Sequence, residues 1–188
     1  TTDGELTAKC VVNVLKKKEV QSIVIDYKDE TVKSKTIYTN STNIITLGYT
    51  VSPSNATFKD VVWTSSNPAV ATVDPMGKVK AVSVGKTVIK CSSEDNPMVT
   101  ATCTVYVKVR ATDVEISSSS IKVYETKSKT LKATVLPADA SNKSVTWKSS
   151  DTKIAKVDSN GKVTGVKAGT AYITATTAHG KYSDKCKA

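Results

Sequence analysis

Apolar and polar residues alternate along most of this chain with a period of two, the period of a strand that buries one face. Leu131, Ala133 and Val135 take every second place in one such run. Gly, Pro, Asn, Asp and Ser clusters interrupt the pattern every 8–12 residues, the spacing of an antiparallel meander or sandwich. In the second half the pattern predicts strands over 112–117, 120–124, 129–136, 144–149, 154–158, 161–166, 170–177 and 181–187. One side of each sheet is expected to be dry and the other wet. No stretch sustains a 3.6-residue apolar period, so little helix is expected.

The pattern also repeats on a longer scale. Residues 61–87 (VVWTSSNPAVATVDPMGKVKAVSVGKT) return at 145–171 (VTWKSSDTKIAKVDSNGKVTGVKAGTA), 84 positions later and without a gap. A repeat of about 85 residues is too long for a solenoid turn and suits a small self-contained domain. The chain therefore divides into a unit at 15–110 and a unit at 111–188. Residues 1–14 match the end of the second unit, with Gly4 over Gly180 and Cys10 over Cys186. They read as the last strand of a preceding repeat, and that orphan strand is expected to be able to exchange between otherwise monomeric molecules.

The repeated residues belong to turns and cores. Asp74–Gly77 and Asp158–Gly161 are four-residue turns. In each, Asp74 or Asp158 can accept backbone N–H groups, and Gly77 or Gly161 takes the left-handed conformation. Gly85 and Gly169 are expected to be left-handed corners between sheets. Trp63 and Trp147, one per unit, are expected to plug the two cores, because one large aromatic dominates a small core. A stacking role toward a ligand is the alternative.

Composition agrees with an all-β chain: Thr and Val suit pleated, half-buried surfaces. The net charge is +10, from 27 basic and 17 acidic residues, and Arg110 is the single arginine. Lysines spread over alternating strands read as a solvated face that blunts edge pairing. Clustered arginines with interleaved aromatics, the usual signature of nucleic-acid binding, are missing, so no nucleic-acid partner is expected. Attraction to an anionic wall polysaccharide is the weaker alternative. No apolar run reaches the roughly 18 residues of a membrane span, so no insertion into a membrane is expected.

One segment breaks the symmetry. Ile25 to Pro53 covers 28 residues against 21 from Ile116 to Pro137, and the excess falls in 27–43, YKDETVKSKTIYTNSTN. Loops on a rigid scaffold are where binding is commonly grafted. Tyr27, Lys33, Lys35 and Tyr38 are accordingly the candidate ligand contacts, with a longer hairpin that binds nothing as the alternative. Cys91 and Cys103 lie on adjacent strands of one hairpin and could form a disulfide if their Cα atoms come within about 7 Å; buried free thiols are the competing reading. A single histidine, His179, in a turn and no nucleophile motif leave no catalytic site to assemble. No metal, cofactor or enzymatic activity is expected.

The stretch VxWxSSNPAVATVDxxGKV, followed by GxTxI and a cysteine, resembles the bacterial immunoglobulin-like domain group 2 family. Trp63, Ser65, Ser66, Val70, Ala71, Val73, Asp74, Gly77, Val79 and Gly85 carry the resemblance in the first unit. Trp147, Ser149, Ser150, Ile154, Ala155, Val157, Asp158, Gly161, Val163 and Gly169 carry it in the second. It implies tandem Ig-like β-sandwiches from a bacterial cell-surface or secreted protein, serving as stalk or spacer and in cell adhesion. The other expectations are a module that binds carbohydrate, host glycan or a surface protein, and an accessory domain of an extracellular enzyme or phage structural protein. The short connector near 108–112 predicts a semi-rigid pair.

Overall fold

The computed structural model describes residues 10–41, 43–179 and 181–188. Among them there are strands and turns but no helix. The first unit contains β1 (Ser22–Tyr27), β2 (Glu30–Thr31), β3 (Ser34–Tyr38), β4 (Ile44–Thr46) and β5 (Gly48–Ser52). It continues through β6 (Val61–Ser65), β7 (Ala71–Val73), β8 (Lys78–Ala81), β9 (Gly85–Ser93) and β10 (Thr100–Lys108). The second unit contains β11 (Asp113–Ile116), β12 (Ser128–Thr130), β13 (Ala133–Leu136) and β14 (Val145–Ser149). It ends with β15 (Ala155–Val157), β16 (Lys162–Gly165), β17 (Tyr172–Thr177) and β18 (Ser183–Lys187).

Each unit stacks a longer sheet on two smaller ones. In the first, β3-β10-β9-β6 faces β2-β1-β5 and β4-β8-β7; in the second, β14-β17-β18 faces β11-β13 and β12-β16-β15. The alternation sets which residues point inward. Along β9, Thr87, Ile89, Cys91 and Ser93 are buried and Lys86 and Lys90 are exposed. The first core gathers Ile25, Ile37, Leu47, Ile89 and Val105 around Trp63. The second gathers Val114, Leu131, Val163 and Ile173, with Trp147 partly buried against them. Two separate cores make this a tandem of all-β, Ig-like sandwiches, each small enough that its one tryptophan is a large share of the buried area.

Two expectations change. The run predicted as one strand over 129–136 is two strands in different sheets, because Leu131 donates its N–H to Gly161 and turns the chain from β12 to β13. The strand predicted over 120–124 reduces to one bridge, Ser120 beside Lys187, with no longer ladder partner among the described residues. Residues 10–14, the described part of the predicted orphan strand, join no sheet, and Val11, Val12 and Val14 are exposed; residues 1–9, and with them Gly4, lie outside the described residues.

The repeated turns form as their chemistry requires. Asp74 Oδ1 accepts N–H groups from Met76 and Lys78, and Asp158 Oδ1 accepts them from Asn160 and Lys162, all at 2.9 Å. Gly77 and Gly161 have φ of 76° and 78°, the left-handed region that a Cβ makes costly. Gly85 and Gly169 also have positive φ, 156° and 159°, and contact adds to the exclusion of a side chain: a Cβ would lie 2.9 Å from Val70 and 2.8 Å from Ile154.

Gly161→Ala would put a methyl 2.5 Å from the Leu131 carbonyl and against the Trp147 ring, in the left-handed region. It should lower the stability of the second unit by about 1–3 kcal/mol, the cost of a strained backbone position. Urea denaturation checks this, and an unchanged midpoint would refute the account of the turn.

Candidate functional site

The excess of the first unit is divided between two places. The strand registers place β3 in the frame of 120–124, since Ser34 pairs with Thr104 and Ser120 with Lys187, one residue after Cys103 and Cys186. Five of the extra residues therefore lie between Ile25 and Ser34, and two between Tyr38 and Ile44. The first group folds into a tight hairpin: Tyr27 pairs with Glu30 across Lys28 and Asp29, whose φ of 53° and 65° are both left-handed. Two consecutive left-handed residues give the twist that matches paired strands. The second group lengthens the turn that follows β3.

The candidate ligand residues are folded onto the protein itself. The Lys35 ammonium sits 4.1 Å from the centre of the Tyr27 ring, and Lys28 approaches the same ring at 5.5 Å. The Arg110 guanidinium stands 4.4 Å from the centre of the Tyr38 ring. Lys33 has an exposed side chain, and its carbonyl accepts the Thr104 N–H. Tyr27 and Tyr38 thus both have cations of the same chain over their rings, a favourable arrangement because a ring face is electron-rich.

Arg110 lies in the connector, where neighbouring residues bond to both units. Val109 bonds forward: its N–H donates to Ser141 Oγ, and its carbonyl accepts the Ser141 N–H, both at 2.9 Å. Arg110 bonds backward: its N–H donates to Asn40 Oδ1 at 3.0 Å, and its carbonyl accepts from Asn40 Nδ2 at 2.8 Å. Thr39 donates to Lys108, and Thr112 donates to Leu136. Successive residues of an extended chain face opposite sides, so adjacent peptides can be held by different units. The forward half recurs at the entrance to the first unit, where Lys18 exchanges two hydrogen bonds with Thr57, each 2.8 Å. Thr57 and Ser141 each stand four residues after a proline, Pro53 or Pro137. Sequence reasoning missed Asn40, Thr57, Arg110 and Ser141; the repeated proline-to-hydroxyl spacing and the single arginine were the available signals.

The family model for the bacterial Ig-like domain (group 2) matches residues 19–105 and again 110–188. The chain belongs to this family. An uncharacterised protein of Clostridium acetobutylicum is 34% identical over 136 residues, which are 72% of this chain and 14% of that protein. An Ig-like virion protein of Serratia phage KSP90 is 38% identical over 138 residues, covering 71% of this chain and 54% of the phage protein. The chain thus spans from a seventh to about half of these relatives. Among solved structures, the C-terminal fragment of intimin, in complex with the intimin-binding domain of its translocated receptor, superposes with a TM-score of 0.50 at 18% identity. That match covers 89% of this chain and 63% of the fragment and shows a shared fold.

Within this Ig-like pair the cysteines are structural. Cys91 stands opposite Ala101, and Cys103 stands opposite Ile89. The two thiols are therefore two positions out of step, and a diagonal pair in a sheet is too far apart to bridge. The disulfide allowed by the sequence is not made: Cys91, Cys103 and Cys186 are free and buried, and Cys10 is free and exposed. Burial pushes the Cys91 thiol up to about 12. Cys103 and Cys186 move in the same direction, chiefly by burial, with Asp184 adding to the shift of Cys186. His179 is exposed in a turn, and among the described residues no cluster of three or more His, Cys, Asp or Glu side chains could hold a metal. Among the described residues no helix is long and apolar enough to cross a membrane.

With a disulfide-exchange reagent at pH 8, Cys10 should react at once and the other three thiols only on unfolding; two or more fast thiols in the native chain would contradict the packing. The pH dependence has a definite sign. The Cys91 contribution is complete below the ordinary thiol value of 9.0 and is lost as pH rises from there toward 12, because the unfolded thiol ionises first. Cys91→Ala should flatten this alkaline fall in a denaturation series.

Proposed function

We propose that the pair is a non-catalytic, semi-rigid spacer in an extracellular bacterial or phage protein, displayed on a surface or secreted, where it sets the separation and angle of the parts it joins. The observation that carries this reading is the connector. Val109 is hydrogen-bonded to the second unit and Arg110 to the first, so bending at this joint must break bonds on one side. A passive tether would have no reason to bond Val109, Arg110 and Thr112 through their backbone groups. The virion and intimin resemblances favour a protein that is displayed, since Ig-like units of this family are shared with a phage particle protein and share their fold with a receptor-bound fragment. Adhesion, in this reading, belongs to whatever the spacer presents. The own-chain cations over Tyr27 and Tyr38 leave the inserted hairpin poorly suited to stacking on a sugar.

Residual dipolar couplings measured on the 188-residue chain test the spacer. Both units should report one shared alignment tensor. Two unequal tensors would show independent units and overturn the reading. A glycan and host-matrix array at physiological salt should show no binding that disappears when residues 33–42 are deleted. Binding of that kind would make the hairpin a recognition loop instead.

A further inference from the structure

We infer that the two residues added after β3 turn the first unit into a splint for the joint, so that this unit and this connector are a matched pair. The inference deepens the spacer reading and rests on it. The forward clasp is shared by both units: Lys18 with Thr57, and Val109 with Ser141. It therefore belongs to the way any unit of this chain receives its incoming strand. The backward clasp is different. It requires Asn40, which lies in the lengthened turn, and Arg110, and it fixes the exit of the first unit.

The second unit shows what the same frame looks like without those parts. Tyr124 occupies the position of Tyr38, four residues along from the paired serine, and it is 84% exposed. At the entrance to the first unit, the position equivalent to Arg110 is Glu19, which follows Lys18 as Arg110 follows Val109. Glu19 pairs only with Lys17, at 3.9 Å, among the described residues. A tyrosine at this point of the strand is thus common to both units, and in the first it stands against Arg110, which Asn40 holds.

The chemistry suits a joint that must hold a direction. A side-chain amide carries an acceptor oxygen and a donor nitrogen side by side, and Asn40 turns both on a single residue, engaging the N–H and the C=O of Arg110. Two antiparallel bonds to one residue fix its rotation as well as its position. The guanidinium of that residue then lies over Tyr38, and a planar cation stacks on a ring in a way that an ammonium does not. The backbone and the side chain of Arg110 are gripped by the same turn-and-strand element, β3 with Thr39 and Asn40. In turn β3 is anchored by its parallel pairing to β10, the strand that leads into the connector. The splint and the strand it guides are one sheet.

The test uses the 188-residue chain and three variants, read by dipolar couplings and 15N relaxation. Asn40→Ala removes both bonds at an exposed position and should not unfold either unit. It should split the shared alignment tensor into two of unequal magnitude. Arg110→Lys keeps the charge and the backbone bonds and should give a smaller, intermediate split. Ser141→Ala probes the forward clasp alone and should also loosen the joint. Thermal midpoints of both units should be unchanged for Asn40→Ala, as for other surface substitutions. A single tensor retained in Asn40→Ala would overturn the splint while leaving the spacer intact. Two tensors in the unmodified chain would overturn both, and the two failures are read from different samples.

Discussion

An extended strand turns each residue to the side opposite its neighbour, and this constraint governs the molecule at every scale. Within a sheet it sends Ile89 and Cys91 inward and Lys90 outward. Within the connector it sends the peptide groups of Val109 and Arg110 to different units. The same geometry that separates core from solvent therefore also lets one connector bond to both units. A connector that coiled, or that carried one more residue, would present both sets of bonds to the same side.

The recurring residues of the repeat are accounted for by turn closure and burial: Asp74 and Asp158 cap backbone amides, Gly77 and Gly161 supply the left-handed step, and Trp63 is nine-tenths enclosed at 7% exposure. Ser66 and Ser150, paired to Val88 and Tyr172, close the strand that carries the tryptophan. Each unit spends its repeated residues on being a sandwich. What distinguishes this chain lies between the sandwiches.

The architecture was legible because it depends on local signals: the period of two, the Asp-to-Gly turns and an ungapped repeat of 84 residues. The strand over 129–136 was misjudged because alternation continues across a change of sheet, and only the Leu131–Gly161 bond reveals the crossing. The excess at 27–43 was located, but its use was not. Whether Tyr38 faces solvent or Arg110 depends on a contact across 72 residues, to which composition is blind. The cysteines were placed on neighbouring strands correctly, yet a register offset of two decides against a bridge, and register is a property of the whole ladder.

The parallel pairing of β3 with β10 matters most when the ends of the chain are pulled. Tension on the connector travels along β10 and meets the five rungs that join it to β3, from Thr104 with Ser34 to Lys108 with Tyr38. Because those rungs lie across the line of pull, they are loaded together in shear and must fail together, unlike the rungs of a hairpin opened from its end like a zip. A unit built this way yields late and abruptly. That is a useful property for a link that must transmit a tug without lengthening.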